Sequence, residues 1–455
     1  MTTPLEGRRV RLFTLGCRTN LYEAEALAGA LAARGAEIVS APPFDVAVVV
    51  SCTVTATADK KCRQAVRRLK RQSPGALIAV CGCWVQSLGR DEARALGIHL
   101  LVGNGRKAAL PRLLDDALAR PREGLFREER GDPGAEGAWD GLTLDRPMLH
   151  TRAFVKVQDG CDHFCSYCVI PSVRGRPVSR PITDVTEEVR RIAASGCPEI
   201  VLTGIHLGLY GRGGDASLGQ LVRAVAAVDG VKRIRFGSLE PFGLDDDLLE
   251  ALTATPAFCP HLHLALQSGS AEVLRRMRRG YGPDDYLAIV ERVRSALGQD
   301  THISSDILVG FPGETEGDFT DTLSLMRACR LGKVHVFPYS PRRGTDAFSM
   351  VGRVPPDILA DRARRAIALG DELLNEYGAR WTGRTVPVLV EKTGSSAFEG
   401  LSREFLRVEA KGFGEQGREV LVAVTAASDG TLSGSRVAPD FAPPSHPVPL
   451  PENLL

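Results

Sequence analysis

Four mainly apolar runs, each followed by amphipathic sequence, dominate the beginning of the chain. They are VRLFTLGC (10–17), FDVAVVVSC (44–52), ALIAVCGC (76–83) and HLLVG (99–103). Helical sequence follows them at 22–34, 58–72, 87–96 and 106–119. A strand that is apolar at every position is buried on both faces, as when crossover helices cover a parallel sheet. The pattern predicts a doubly wound α/β domain over residues 1–120.

The pattern lapses between 121 and 150. PREGLFREERGDPGAEGAWDGLTLDRP (121–147) is rich in Gly, Pro and charge, and reads as a linker. Periodicity returns for 151–378. Six strand candidates (153–158, 199–204, 233–240, 262–267, 302–312 and 333–340) alternate with helical sequence. Six βα units are too few to close an eight-stranded barrel, so an open (βα)6 partial barrel is expected. Over 379–438 the short segments TVPVLVEK, LSREFLRVEA, EVLVAVTAAS and GTLSGSRV predict a small antiparallel β-barrel. Residues 439–455 form a Pro-rich tail. The fold class is therefore α/β with a β-barrel at its end.

Composition changes this picture little. A hydrophobic content of 44% and a charged content of 25% are ordinary for a globular chain, and 455 residues exceed one core. No run of about 18 apolar residues marks a membrane helix, and the start lacks an apolar leader, so a cytoplasmic protein is expected. A net charge of +2 leaves nucleic-acid contact to local patches. Seven of the twelve residues from Lys60 to Arg71 are Lys or Arg. SVRGRPVSR (172–180) and the arginines at 275, 276, 278 and 279 add two more patches. Each reads either as a phosphate-contacting surface or as a solvated face.

Eleven Cys in such a chain point to metal or redox chemistry instead of a disulfide framework. Cys161, Cys165 and Cys168 stand as C-x3-C-x2-C on a loop after a predicted strand. Soft thiolates select iron–sulfur clusters, zinc or copper(I). A 4Fe–4S cubane takes four ligands, so three Cys leave one iron open. The alternative is a zinc knot of these Cys with His163. Cys17, Cys52 and Cys83 each fall at the carboxyl end of a predicted parallel strand, the edge where open α/β sheets bind ligands. They read as ligands of a second cluster, again with an open iron. Cys81 and Cys62 read as packing residues, and so do Cys197, Cys259 and Cys329. Polar residues also gather at the carboxyl ends of the barrel strands, where βα barrels do chemistry.

The Cys161–Cys168 spacing, with aromatic Tyr167 before its last Cys, resembles the radical S-adenosylmethionine superfamily. TLGCRTNLYEAEAL (14–27), SCTVTATADKKCRQ (51–64) and GCWVQ (82–86) narrow the resemblance to the methylthiotransferases of that superfamily. LTGIHLGLYG, SLEP, LQSGS, SDILVGFPGET and FPYSPRRGT extend it through the central domain. The resemblance implies a 4Fe–4S cluster on Cys161, Cys165 and Cys168 that binds S-adenosylmethionine, and an auxiliary 4Fe–4S cluster on Cys17, Cys52 and Cys83 that handles sulfur. It further implies that one S-adenosylmethionine yields a 5′-deoxyadenosyl radical and a second donates methyl. Gly204 would approach the methionine amino group, Glu240, Gln267 and Ser268 the sulfonium or ribose, and Tyr167, Val309 and Phe337 the adenine. The C-terminal segment resembles a TRAM domain, with Arg380, Arg384, Lys392, Arg403, Arg407 and Lys411 for phosphate and Phe398 or Phe405 for stacking; a purely structural barrel is the other reading.

Branches of the family act on isopentenyl-adenosine in tRNA, on threonylcarbamoyl-adenosine in tRNA, or on a ribosomal-protein aspartate. The motifs here look most like the threonylcarbamoyl-adenosine branch, because Gly204–Ile205–His206 stands where the isopentenyl branch has a GQN-type sequence. His206 either touches substrate or fills space. The expected partners are tRNA, an external one-electron donor and a sulfur donor the sequence does not name, with the chain a monomer. A non-enzymatic, metal-containing RNA-binding protein is the distant alternative. If both clusters exist, their open irons must face a shared cavity.

Overall fold

The computed structural model describes residues 3–121, 124–132, 139–147, 151–214 and 216–437. The apolar runs of the first domain become parallel neighbours in the order Glu37–Ile38, Arg9–Thr14, Val46–Ser51, Leu77–Gly82, Leu100–Val102, Arg127–Glu129. Val46, Val48 and Val50 face one core, and Ala47 and Val49 face the other. Burial of both faces explains why Val46–Ser51 and Leu77–Gly82 carry no polar alternation, whereas the half-buried Arg9–Thr14 alternates Arg9, Val10, Arg11 and Leu12. Helices Arg18–Ala32 and Leu110–Leu118 pack on the first face, and Ala56–Gln72 on the second.

The expected linker is partly built into this domain. Arg127–Glu129 forms the sheet's outer strand, and Leu142 and Leu144 are buried in the main core. The hydroxyl of Tyr22 donates to the Leu142 carbonyl at 2.7 Å. Three charged residues in a row hid the strand, because an edge strand needs no apolar alternation.

The six central strands are parallel and follow chain order around an arc. Ala153–Lys156, Glu199–Thr203 and Arg233–Phe236 form one sheet; Ser238–Leu239, His261–Leu264, His302–Val309 and Lys333–Pro338 form the other. Gly237 joins the two sheets within one stretch of chain. This is the expected open barrel, with one strand bent at its middle. Helix Arg18–Ala32 of the first domain packs against Ala153–Lys156, at one side of the arc.

The C-terminal segment is a closed five-stranded barrel in the order Thr385–Thr393, Ala397–Ser402, Arg407–Lys411, Thr431–Arg436, Glu419–Ser428. LSREFLRVEA, expected as one strand, turns at its middle, where Phe405 takes a φ of 66°. That turn plugs the base of the central barrel. Phe405 stacks on His261 at 4.2 Å between ring centres, with Arg18, Arg235 and Lys333 around the ring. Arg233 and Arg235 donate to the carbonyls of Leu401, Ser402 and Arg403, and both bind buried Glu199. The tail expected at 439–455 lies outside the described residues. Among the described residues no helix is long and apolar enough to cross a membrane.

Candidate active site

Cys17, Cys52 and Cys83 lie just past the carboxyl ends of three adjacent parallel strands. Two tight backbone approaches bring them together. Gly16 has a φ of +110°, and a Cβ there would sit 2.8 Å from the Cβ of Cys52. Gly82 has a φ of +100°, and its Cβ would meet the Ser51 carbonyl oxygen at 2.7 Å. Only glycine fits such places. The amide of Asn20 ties the loops by donating to the carbonyls of Leu15 and Ser51. Burial, then repulsion from Cys83 and Cys17, pushes the Cys52 thiol up to about 12. Cys62 lies beneath, its thiol donating to the Cys52 carbonyl at 3.3 Å, and Cys81 is wholly buried in the core.

Cys161, Cys165 and Cys168 lie on a loop pinned from three sides. The Cys161 amide donates to the Gly175 carbonyl, the Ser166 amide to Met277, and the Ala347 amide to Ser166. Burial pushes the thiols of Cys161 and Cys168 up to about 11 and 12, with repulsion among the three adding to it. The buried Arg279 donates from Nη1 to Cys165 Sγ at 3.3 Å and also pairs with Glu240. His163 does not complete a zinc knot. Its Nε2 meets the Arg279 carbonyl at 3.2 Å, and its ring stacks on Phe242.

Arginine links the two groups of cysteines. Arg174 follows the second cysteine loop, yet its Nε donates to Cys83 Sγ in the first group at 3.2 Å. On the other side Arg342 reaches from the central domain to Asp59 and Thr53, and Ser340 accepts from the Ala56 amide, both beside the Cys52 loop. The sheet edge carrying Cys17, Cys52 and Cys83 is thus held next to the Cys161–Cys168 loop. Among the described residues no three His, Cys, Asp or Glu side chains converge tightly enough for a single metal ion. The donor set suits a larger group: three thiols within reach of one another's charge, and one buried guanidinium on a sulfur of each triplet. Thiolates on separate corners of a cubane sit further apart than ligands of one ion.

The other expected contacts divide. Glu240 faces the cysteine loop through Arg279, and Gln267 stands at the rim with a φ of 71°. Gly204 has Gln158 where a side chain would point, and Gln158 Oε1 accepts from the His206 amide. Tyr167 packs beside Leu308, Phe311 and Tyr339. Phe337 is exposed on a strand whose neighbours Val334 and Val336 pack into the core. Two of the expected residues turn their side chains away from the rim. Val309 is wholly buried in the sheet–helix core, because alternation turns Leu308 and not Val309 to the side of Tyr167. Ser268 is also fully buried, its hydroxyl turned to Thr322 and the Ser270 amide.

Sequence reasoning missed Arg174 and Arg279 as buried partners of sulfur; each sat in a basic stretch that reads equally well as solvated. It also missed the charge group behind Arg174. Lys107, Lys156 and Arg174 meet Glu23, Asp140 and Asp159 at 2.5–3.1 Å. Near the second loop a cavity of about 400 Å³ is lined by His163, Phe242, Arg212 and Arg279. His206, 3% exposed, packs on Phe242 with both ring nitrogens unpartnered.

Comparison with known proteins agrees with this arrangement. Residues 155–326 match the radical SAM superfamily, and residues 9–103 match the uncharacterized protein family UPF0004. The threonylcarbamoyladenosine tRNA methylthiotransferase MtaB of Bacillus subtilis is 35% identical over 89% of this chain and 90% of its own. This chain belongs to the radical S-adenosylmethionine tRNA methylthiotransferase family. The methylthiotransferase is also 39% identical to the tRNA-2-methylthio-N(6)-dimethylallyladenosine synthase of Frankia alni, over 85% of this chain and 78% of that one. Among solved structures, the radical S-adenosylmethionine methyltransferase TsrM of Kitasatospora setae shares the fold, with a TM-score of 0.53 over 75% of this chain and 77% of that one, at 16% identity. As a radical S-adenosylmethionine enzyme, the methylthiotransferase uses a 4Fe–4S cluster and S-adenosylmethionine.

Proposed function

We propose that the enzyme methylthiolates carbon 2 of N6-threonylcarbamoyladenosine next to the anticodon of tRNA, giving 2-methylthio-N6-threonylcarbamoyladenosine. The observation that carries this reading is the meeting of two three-cysteine groups from different domains across Arg174. In this reading Cys161, Cys165 and Cys168 hold the cluster that binds S-adenosylmethionine, and Cys17, Cys52 and Cys83 hold an auxiliary cluster. Bound there, the two clusters and S-adenosylmethionine supply radical generation and a methylated sulfur, which an unactivated C–H bond requires. The chain's own residues orient and enclose. Arg279 fixes Cys165 and Glu240 together, and Gln267 and Tyr167 line the rim.

Choice of nucleoside rests on Gly204–Ile205–His206 and on MtaB relatives that match nearly end to end, including one from Chlamydia pneumoniae at 36% identity over 91% of this chain. The 39% identity to a dimethylallyladenosine synthase favours a second reading, in which isopentenyl-adenosine is the substrate. tRNA would approach over helix Ala56–Gln72, where Lys60, Lys61, Arg67, Lys70 and Arg71 are exposed and, among the described residues, have no acidic partner. A groove of about 820 Å³ lies along it. The C-terminal barrel would add Arg380, Arg407 and Lys411. Arg403, Arg384 and Lys392 are already paired with Glu419, Asp300 and Glu399, Phe398 is in the barrel core and Phe405 is in the plug.

Mass spectrometry of tRNA nucleosides from a cytoplasmic extract of a deletion strain tests the substrate. Loss of 2-methylthio-N6-threonylcarbamoyladenosine with accumulation of its precursor is expected. Loss of the isopentenyl product instead would replace the first reading by the second.

A further inference from the structure

The Arg174 side chain is fully buried and bound along its whole head. Nε donates to Cys83 Sγ at 3.2 Å, Nη1 to Asp159 at 2.9 Å and Glu23 at 3.1 Å, and Nη2 to Asn20 Oδ1 at 2.8 Å. A guanidinium held this way cannot swing off the sulfur. A second donor reaches the same atom: Asn104 Nδ2 lies 3.5 Å from Cys83 Sγ, with its amide oxygen fixed by Lys107 Nζ at 2.9 Å. The charges around them balance. Lys107, Lys156 and Arg174 are matched by Glu23, Asp140 and Asp159 before any thiolate is counted. Negative charge arriving at Cys83 is therefore met by aimed N–H groups and not by a free counter-ion. Among the described residues neither Cys17 nor Cys52 receives a hydrogen bond from a cationic side chain; Cys17 Sγ lies 3.9 Å from Asn20 Oδ1, and Cys52 is touched by backbone.

We infer that Arg174 is a positioning residue that raises the reduction potential of the auxiliary cluster through the sulfur of Cys83. Hydrogen bonds to a ligating sulfur favour the more electron-rich, reduced state of an iron–sulfur cluster. The inference rests on Cys17, Cys52 and Cys83 being cluster ligands. It also gives the central domain control over a centre in the first domain, because Arg174 and its partner Asp159 flank the Cys161–Cys168 loop.

The test uses the full chain carrying Cys165→Ala, reconstituted anaerobically with iron and sulfide, so that only the auxiliary cluster titrates. Its midpoint is followed by electron paramagnetic resonance during reduction with dithionite. With Arg174→Gln added, about four irons per chain should remain and the midpoint should move to more negative potential. An unchanged or more positive midpoint with iron retained overturns the inference. A Cys165→Ala chain that binds no iron overturns the ligand assignment instead. Should Arg174→Gln shed iron, Arg174→Lys decides: it keeps the charge but loses the Nε donor, so its midpoint must also fall. Loss of iron from both variants would make Arg174 a structural clamp and overturn the tuning role.

Discussion

Burial pushes the thiols of Cys52 and Cys168 up to about 12, so as free thiols both are protonated at neutral pH. Only a bound metal centre makes such residues thiolates. Cys62 and Cys81 are as deeply buried, yet Cys62 gives its thiol to the Cys52 carbonyl and Cys81 sits within the strand Leu77–Gly82, in the core. The two kinds should separate on substitution. Cys83→Ala is expected to lose half of about eight irons per chain while still forming 5′-deoxyadenosine, and Cys165→Ala to form none. Iron assay and chromatography of the products read both. Cys81→Ala should keep the iron and lose about 1 to 2 kcal/mol of stability through lost packing, measured by denaturant unfolding.

At the scale of elements, strand–loop geometry carries the site. Gly16→Ala forces a Cβ into the space of Cys52 on a left-handed backbone. The expected result is loss of auxiliary iron, with strain of about 1 kcal/mol or more, seen as reduced iron content and a lower thermal midpoint. The same geometry explains what could be read beforehand. The runs ending in Cys52 and Cys83 announced themselves because a strand buried on both faces writes its length directly into apolar sequence, whereas the half-buried strand before Cys17 still carries Arg9 and Arg11. The (βα)6 arc was legible for the same reason. Arg127–Glu129 was not, since an edge strand can be wholly charged, and neither was the break at Phe405, which depends on the surface that receives it. The side chain of Val309 lies in the sheet–helix core while that of Leu308 lies beside Tyr167, because in a strand one residue reverses the face. Arg174 and Arg279 were seen as arginines but not as buried ones, because their partners come from distant parts of the chain.

For the whole molecule, two seams respond to acid at different pH. His302 lies under the plug, its Nδ1–H donating to the Glu404 carbonyl at 2.7 Å. Burial holds it down at about 4, against an ordinary 6.5, with Lys333 and Arg235 adding to the effect. Its contribution to stability is present above pH 6.5 and lost as pH falls through 4. Burial likewise lowers neighbouring His261, whereas Glu404, pushed up by burial, works in the opposite direction. At the other seam burial alone would raise Asp159, but Arg174 and then Lys156 outweigh it and hold it at about 2. That contribution is present above the ordinary 3.8 and lost only as pH falls through 2. Hydrogen exchange followed between pH 7 and 4 should therefore show residues 402–406 losing protection first and residues 159–175 keeping theirs. The reverse order would contradict the assignment.

The plug also has a consequence in time. A ribosome makes Arg18 long before Phe405, with the central strands in between, yet both pack in the floor of one chamber. The floor cannot be laid until the turn that carries Phe405 has emerged. Until then the half-built chamber is open at the bottom, and an oxygen-sensitive cluster placed in it early would be unprotected.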